Sequence, residues 1–203
     1  MQLRKRADGF TLVELLVAVV ILGIITVPIT NVIIGYLRNS DAITSRLLAS
    51  HDAQIVSAYW AQDVASIGQR NAATHALLPS IQVPAMTADP KCTSAGTIAT
   101  FTWDDYLNAT DPATVVTVSY VVAYSPVSLQ CELHRVRLTS PATNVVLAHY
   151  LDSVSPPSIT CSTTCTAVPT ANEKVTLNLT LADKGSPGGV WPVTLSGQRR
   201  GSS

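Results

Sequence analysis

From Leu15 to Leu37 the chain carries no charged side chain, and this stretch is longer than the ~20 apolar residues a helix needs to cross a bilayer. A water-soluble fold would have to bury such a segment on every side, so residues 10–37 read as a transmembrane helix. Arg4, Lys5 and Arg6 precede it, and short basic flanks stay on the cytoplasmic side of a membrane. The expectation is a single-pass protein of the inner cell membrane, with its amino terminus in the cytoplasm and residues 38–203 outside. Glu14 breaks the pattern: a carboxylate near the start of such a helix costs about a few kcal/mol in lipid and needs a cationic partner.

Beyond the membrane the helical signal continues. Ile43, Leu47, Leu48, Ile55, Val56, Tyr59, Trp60, Val64 and Ile67 recur at spacings of three, four and seven, with Arg38, Asp41, Arg46, Asp52 and Gln62 between them. Residues 38–68 are therefore expected to form the outer half of one long helix that lays an apolar stripe on a sheet and stops at Gly68. A helix unbroken from Phe10 to Ile67 would be about 87 Å long. Pro28 removes one backbone donor inside the membrane half, where a bend or local loosening is tolerated.

Residues 69–95 lose periodicity and collect Pro79, Pro84 and Pro90, which predicts a long connecting loop. Strands are expected at 97–103, 114–124, 129–139, 144–151, 174–181 and 191–196, runs rich in Val and Thr with turn residues between them. In 174–181 the alternation is plainest, with Val175, Leu177, Leu179 and Leu181 on one face and Thr176, Asn178 and Thr180 on the other. The whole is an α+β fold, a long amino-terminal helix packed on an antiparallel sheet, with residues 69–203 forming one extracytoplasmic β-rich domain. Only 13% of residues are charged, about half the usual share. Lys and Arg together equal Asp and Glu at 13 each, and no basic cluster lies outside the leader and Arg199-Arg200, so no nucleic-acid partner is expected.

A conventional secretory signal is cut after its apolar core; here the small residue comes before it. The basic leader, then Gly9, Phe10, Thr11-Leu12-Val13-Glu14 and the uninterrupted apolar run resemble the processing signature of the type IV prepilins and the pseudopilins of type II secretion. That resemblance implies a membrane peptidase that removes residues 1–9 by cutting after Gly9 and methylates the new terminus at Phe10. It also implies a structural subunit without cofactor. Its partners would be other pilin or pseudopilin subunits, the prepilin peptidase, an inner-membrane assembly platform, and membrane lipid before assembly into a pilus or pseudopilus. The freed ammonium group of Phe10, or that of a neighbouring subunit, would pair with Glu14 and set the axial register of a growing filament. The pilin family shares the layout of helix, loop and antiparallel sheet. Within it, Val118-Ser119-Tyr120, Leu133-His134-Arg135 and Trp191-Pro192-Val193 are similar to the larger minor pseudopilins, the J type especially, and a minor pilin or a pilin-like part of a DNA-uptake machine shares the same features.

Four cysteines, Cys92, Cys131, Cys161 and Cys165, fall outside the membrane, and an even number in an exported domain favours disulfides, with three pairings possible. Cys161 with Cys165 would close a small loop between two prolines, and Cys92 with Cys131 would then tie the connecting loop to a strand. The competing reading is a metal site with His134 and His149 as further ligands, for which a lone C-x-x-x-C is weak support. Asp104, Asp105, Asn108 and Asp111 could hold calcium, but their spacing matches no defined loop and a solvated turn explains them. His51, His75, His134 and His149 are scattered, and neither a Gly-x-Ser-x-Gly elbow nor a phosphate-binding glycine loop is present. No catalytic site is expected. Two other classes stay open: an adhesin or binding module anchored in the membrane, which a groove or exposed aromatic patch would support, and an anchored hydrolase, which would need a nucleophile and base brought together.

Overall fold

The computed structural model describes residues 11–105, 114–182 and 189–200. Helix α1 (Leu12–Ser66) runs unbroken through Pro28. Among the described residues nine strands follow: β1 (Ile81–Gln82), β2 (Thr87–Asp89), β3 (Thr93–Asp105), β4 (Thr114–Ser125), β5 (Gln130–Arg137), β6 (Thr143–Leu151), β7 (Ser158–Cys161), β8 (Lys174–Ala182) and β9 (Val190–Gln198). All strand pairings are antiparallel, giving the α+β arrangement expected. Strands β3, β4, β5 and β6 form a meander; β8 takes β6 and β7 on one side and β9 on the other, while β1 and β2 pair with β3. The chain divides into two compact units, Met1–Thr44 and Ser45–Ser203.

In the first unit, Leu12–Leu37 is long and apolar enough to cross a membrane, with mean hydropathy 2.8, and none of it is buried. Thr26 and Thr30 turn their hydroxyls back onto the carbonyls of Leu22 and Thr26, so polar side chains inside the span are satisfied by the helix itself.

The second unit is built on the carboxyl-terminal turns of α1. Ser45, Asp52, Val56, Trp60, Asp63, Val64 and Ile67 are buried there, positions that fall on one side of a helix advancing about 100° per residue. The expected stripe was too broad. Ile43 and Leu47 lie opposite this face and are exposed at 55% and 66%, whereas Asp52, placed by pattern among the polar residues, is inside. Val175, Leu177, Leu179 and Leu181 of β8 all point into the core, and the core extends through Phe101, Val118, Tyr120 and Leu133. Trp60 packs edge-on against Phe101 and Tyr120 at 5.1 and 5.0 Å between ring centroids. Its indole Nε1 donates to Val175 O at 3.1 Å, fixing helix to β8.

Close approach of α1 to β9 requires Gly197: a Cβ there would sit 2.6 Å from Val64 Cβ. Gly68, just past the helix end, has φ +144°, a conformation side chains disfavour. Its N–H bonds Thr102 O, handing the chain from helix to sheet. The predicted loop at 69–95 contains β1, β2 and the start of β3; two- and three-residue strands are too short to show alternation. β7 is missed for the same reason.

Candidate functional site

The helix begins with a local cap. Thr11 precedes Leu12, and its Oγ1 and carbonyl O both accept the Glu14 N–H, at 3.3 and 3.1 Å. This is the N-cap arrangement, a short hydroxyl side chain satisfying one of the helix's free donors. Glu14 lies in the first turn, where the helix dipole favours a carboxylate, and its side chain is exposed. Gly9 and Phe10, the residues expected at the cut, lie outside the described residues, and the described chain starts just after them at Thr11.

The second unit organises its polar groups around three carboxylates that are no more than 2% exposed. Asp63, 1% exposed, accepts two parallel bonds from Arg135, Nε to Oδ2 and Nη2 to Oδ1, both 2.7 Å, and a third from the Tyr120 hydroxyl at 2.7 Å. A bidentate guanidinium with a phenol satisfies the charge in a dry site. Burial, then the Asp63 charge beside it, push the Tyr120 phenol well above its ordinary range. The bond to Asp63 likewise holds the Arg135 guanidinium above its usual value. Arg135 also stacks over Tyr59, 5.0 Å from the ring centroid. Asp52, 2% exposed, accepts the His149 backbone N–H at 2.8 Å, with His149 Nδ1 at 3.3 Å and the exposed His51 Nδ1 at 3.8 Å.

Glu173 is the third, 1% exposed. Burial opposes its ionisation, but bonds from Thr163 Oγ1, Thr163 N, Ser162 Oγ and Thr170 Oγ1 outweigh that and bring its pKa down to about 2. Ser162 and Thr163 lie in the loop closed by the Cys161–Cys165 disulfide, and Thr170 three residues ahead of Glu173. The second disulfide joins Cys92 to Cys131. Arg199, noted in the sequence only as part of a basic pair, is 6% exposed. Its Nε donates to Ile67 O at 2.8 Å and its Nη1 to Thr170 O at 3.0 Å, so it closes the carboxyl end of α1. Burial, and secondarily the charge of Arg70, lower its pKa.

Asp52, Asp63 and Arg199 fasten the helix and its end to the sheet, and Glu173 fastens the disulfide loop to the start of β8. All four cysteine sulfurs are bonded in pairs, which leaves no thiolate for the metal reading. His134 contacts Glu132 at 3.3 Å and Asn144 at 3.0 Å, while His149 sits at Asp52. Among the described residues no group of three or more His, Cys, Asp or Glu is placed to hold a metal ion. Of the acidic cluster, Asp104 accepts the Arg70 N–H at 2.7 Å, and Asn108 and Asp111 lie outside the described residues. Sequence reasoning missed Asp63, Arg135, Glu173 and Arg199 as structural groups. The signal available was a carboxylate in phase with Val56 and Trp60.

Residues 4–30 match the family described as the prokaryotic N-terminal methylation motif. Neither a curated protein nor a solved structure matches the chain.

Proposed function

We propose that this prepilin-type chain, which carries the N-terminal methylation motif on an apolar helix able to span a membrane, is a minor structural subunit of a type IV pilus or a type II secretion pseudopilus. The observation that carries the reading is the match over residues 4–30 immediately ahead of, and running into, a span free of charge after Glu14. Prepilin peptidase cuts after Gly9 and the new amino terminus of Phe10 is methylated. The subunit waits in the inner membrane with its second unit outside, and is extracted into a filament of pilin or pseudopilin subunits by an assembly platform. Glu14 then pairs with a terminal ammonium group and registers the subunit. The second unit, braced by Asp52, Asp63 and two disulfides, supplies the rigid outer body. Assignment to the J type of minor pseudopilin rests on the resemblance of segments now seen to lie on β4, β5 and β9.

Intact-mass measurement of the membrane-extracted protein tests the processing step. The expected mass is that of residues 10–203 plus one methyl group, and Gly9→Trp should leave the full chain uncut. A mature protein that begins beyond residue 30 would mark the segment as an ordinary signal sequence and end the filament reading.

A further inference from the structure

Strand β9 is an edge strand of the sheet, and among the described residues its far edge is unpaired. On β8, Leu177 lies opposite both Ile159 and Leu195, and Leu181 opposite both Leu151 and Trp191, so β9 occupies the side away from β6 and β7. Three backbone bonds give the direction of each peptide group. Asp152 N donates to Thr180 O and Ser162 N to Lys174 O, while Arg199 N donates to Glu173 O. Even-numbered residues of β8 therefore face β6 and β7, and odd-numbered ones face β9. It follows that Trp191, Val193, Leu195 and Gly197 bond β8, and that Pro192, Thr194, Ser196 and Gln198 turn their peptide groups outward. Pro192, which has no N–H to give, sits where an edge tolerates it. The free stretch ends where Arg200 N is bound to Ala65 O.

Edges of this kind are normally blunted by charge, yet Val190–Gln198 carries no charged side chain. Beside it lies a groove of about 250 Å³. Ala49, Ser50 and Ala53 of α1 form its helical wall, and Leu181, Trp191 and Val193 its sheet wall. Small helical residues leave room there, Arg46 lies 5.4 Å over the Trp191 ring, and Trp191 Nε1 is shielded without a hydrogen-bond partner among the described residues.

We propose that β9 is a strand-addition site: an extended segment of another polypeptide, with apolar side chains at alternate positions, pairs with Thr194–Gln198 and, at the Val193 end of that pairing, lays an apolar side chain in the groove against Ala49, Ala53 and Val193. Main-chain bonds supply affinity in this mode and the groove supplies selectivity. An incoming helix would leave the N–H groups of Thr194, Ser196 and Gln198 unpaired, and acyl chains offer them no acceptor. The site does not depend on the filament reading.

The test uses the full chain in detergent micelles and a capped Thr-Val-Thr-Val-Thr-Val-Thr peptide, with hydrogen exchange read at single amides. Saturating peptide should slow Thr194, Ser196 and Gln198 about tenfold, and the same peptide N-methylated at every residue should not. Ser196→Pro, which removes one outward N–H and leaves the bonds to β8, should lose the effect. Ala53→Trp, which fills the groove, should lose it too, with Val193 and Leu195 still slow as a check on the fold. Should Ser196→Pro unfold the strand, Ala53→Trp decides. Edge amides already slow without peptide, no slowing with it, equal slowing by the N-methylated peptide, or undiminished slowing in Ala53→Trp would each overturn the proposal.

Discussion

Residues 12–37 and residues 45–200 treat their surfaces in opposite ways. In the first region every large apolar side chain is exposed and none of the span is buried. Its one carboxylate, Glu14, has no side-chain partner among the described residues. In the second, Asp52, Asp63 and Glu173 are all but removed from solvent, and each is met by two or more donors, those of Asp52 and Asp63 from distant strands and those of Glu173 from the adjoining loop. The outer unit meets its most enclosed carboxylates from within itself. The span leaves its apolar side chains open to whatever lies outside the chain. Stability measurements should therefore respond to the buried carboxylates and be blind to Glu14.

The sharpest way to break that contrast is Asp63→Ala. It leaves the Arg135 guanidinium and the Tyr120 hydroxyl without their acceptor in the core, a loss of about 3–5 kcal/mol. Urea denaturation of the full chain in detergent should show the midpoint collapse. A shift worth under about 1 kcal/mol would mean that water replaces the carboxylate, and that the outer unit is not the closed system described.

Removing disulfides grades the same unit. Cys92 and Cys131 are 39 residues apart and Cys161 and Cys165 only 4. By loop-closure entropy the paired Ala variants should cost about 4 and about 2 kcal/mol respectively, the longer loop gaining more from its bridge. Equal costs would show that the short bridge acts instead by holding the Ser162 and Thr163 donors at Glu173.

Acid probes that carboxylate directly. Its folded pKa, about 2, lies below the ordinary 4.5, so its contribution is fully present above the ordinary value and is lost as pH falls from there toward about 2. The melting temperature of the wild type should drop through that window. Glu173→Gln should start lower and stay flatter across it, and equal acid slopes in the two proteins would place the sensitivity elsewhere.

How much of this could be read beforehand follows the range of the contacts. The span, its odd carboxylate and the alternation at 174–181 are local patterns, written within a few turns or one strand. Strands β3 to β6, β8 and β9 announced themselves by Val and Thr between turn residues. Asp63 and Asp52 did not, because their partners are 72 and 97 residues away and a carboxylate on an amphipathic helix is ordinarily solvated. Ile43 and Leu47 misled in the other direction: they share a spacing with the buried residues but not their side of the helix. Arg199 stood out in the sequence only as half of a basic pair, and only the folded chain brings it to the end of α1.

Glu14→Ala is the smallest change expected on stability and the most informative about the first region. Thr11 still caps the helix through its own oxygens, and losing an exposed first-turn carboxylate costs at most about 0.3–1 kcal/mol of helix stability. The outer unit's denaturation midpoint should not move, since none of its core residues lies before Ser45. Processing after Gly9 should persist. What should fall is the amount of subunit in sheared or secreted fibres relative to the membrane pool, because an ammonium group left unpaired in an apolar filament core carries a penalty of about several kcal/mol. A subunit at the very tip has no neighbour above it and would feel this least, so partial loss points to the tip and complete loss to the shaft. Wild-type incorporation together with an unchanged midpoint would remove Glu14 from assembly altogether and leave the carboxylate as an ornament of the helix start.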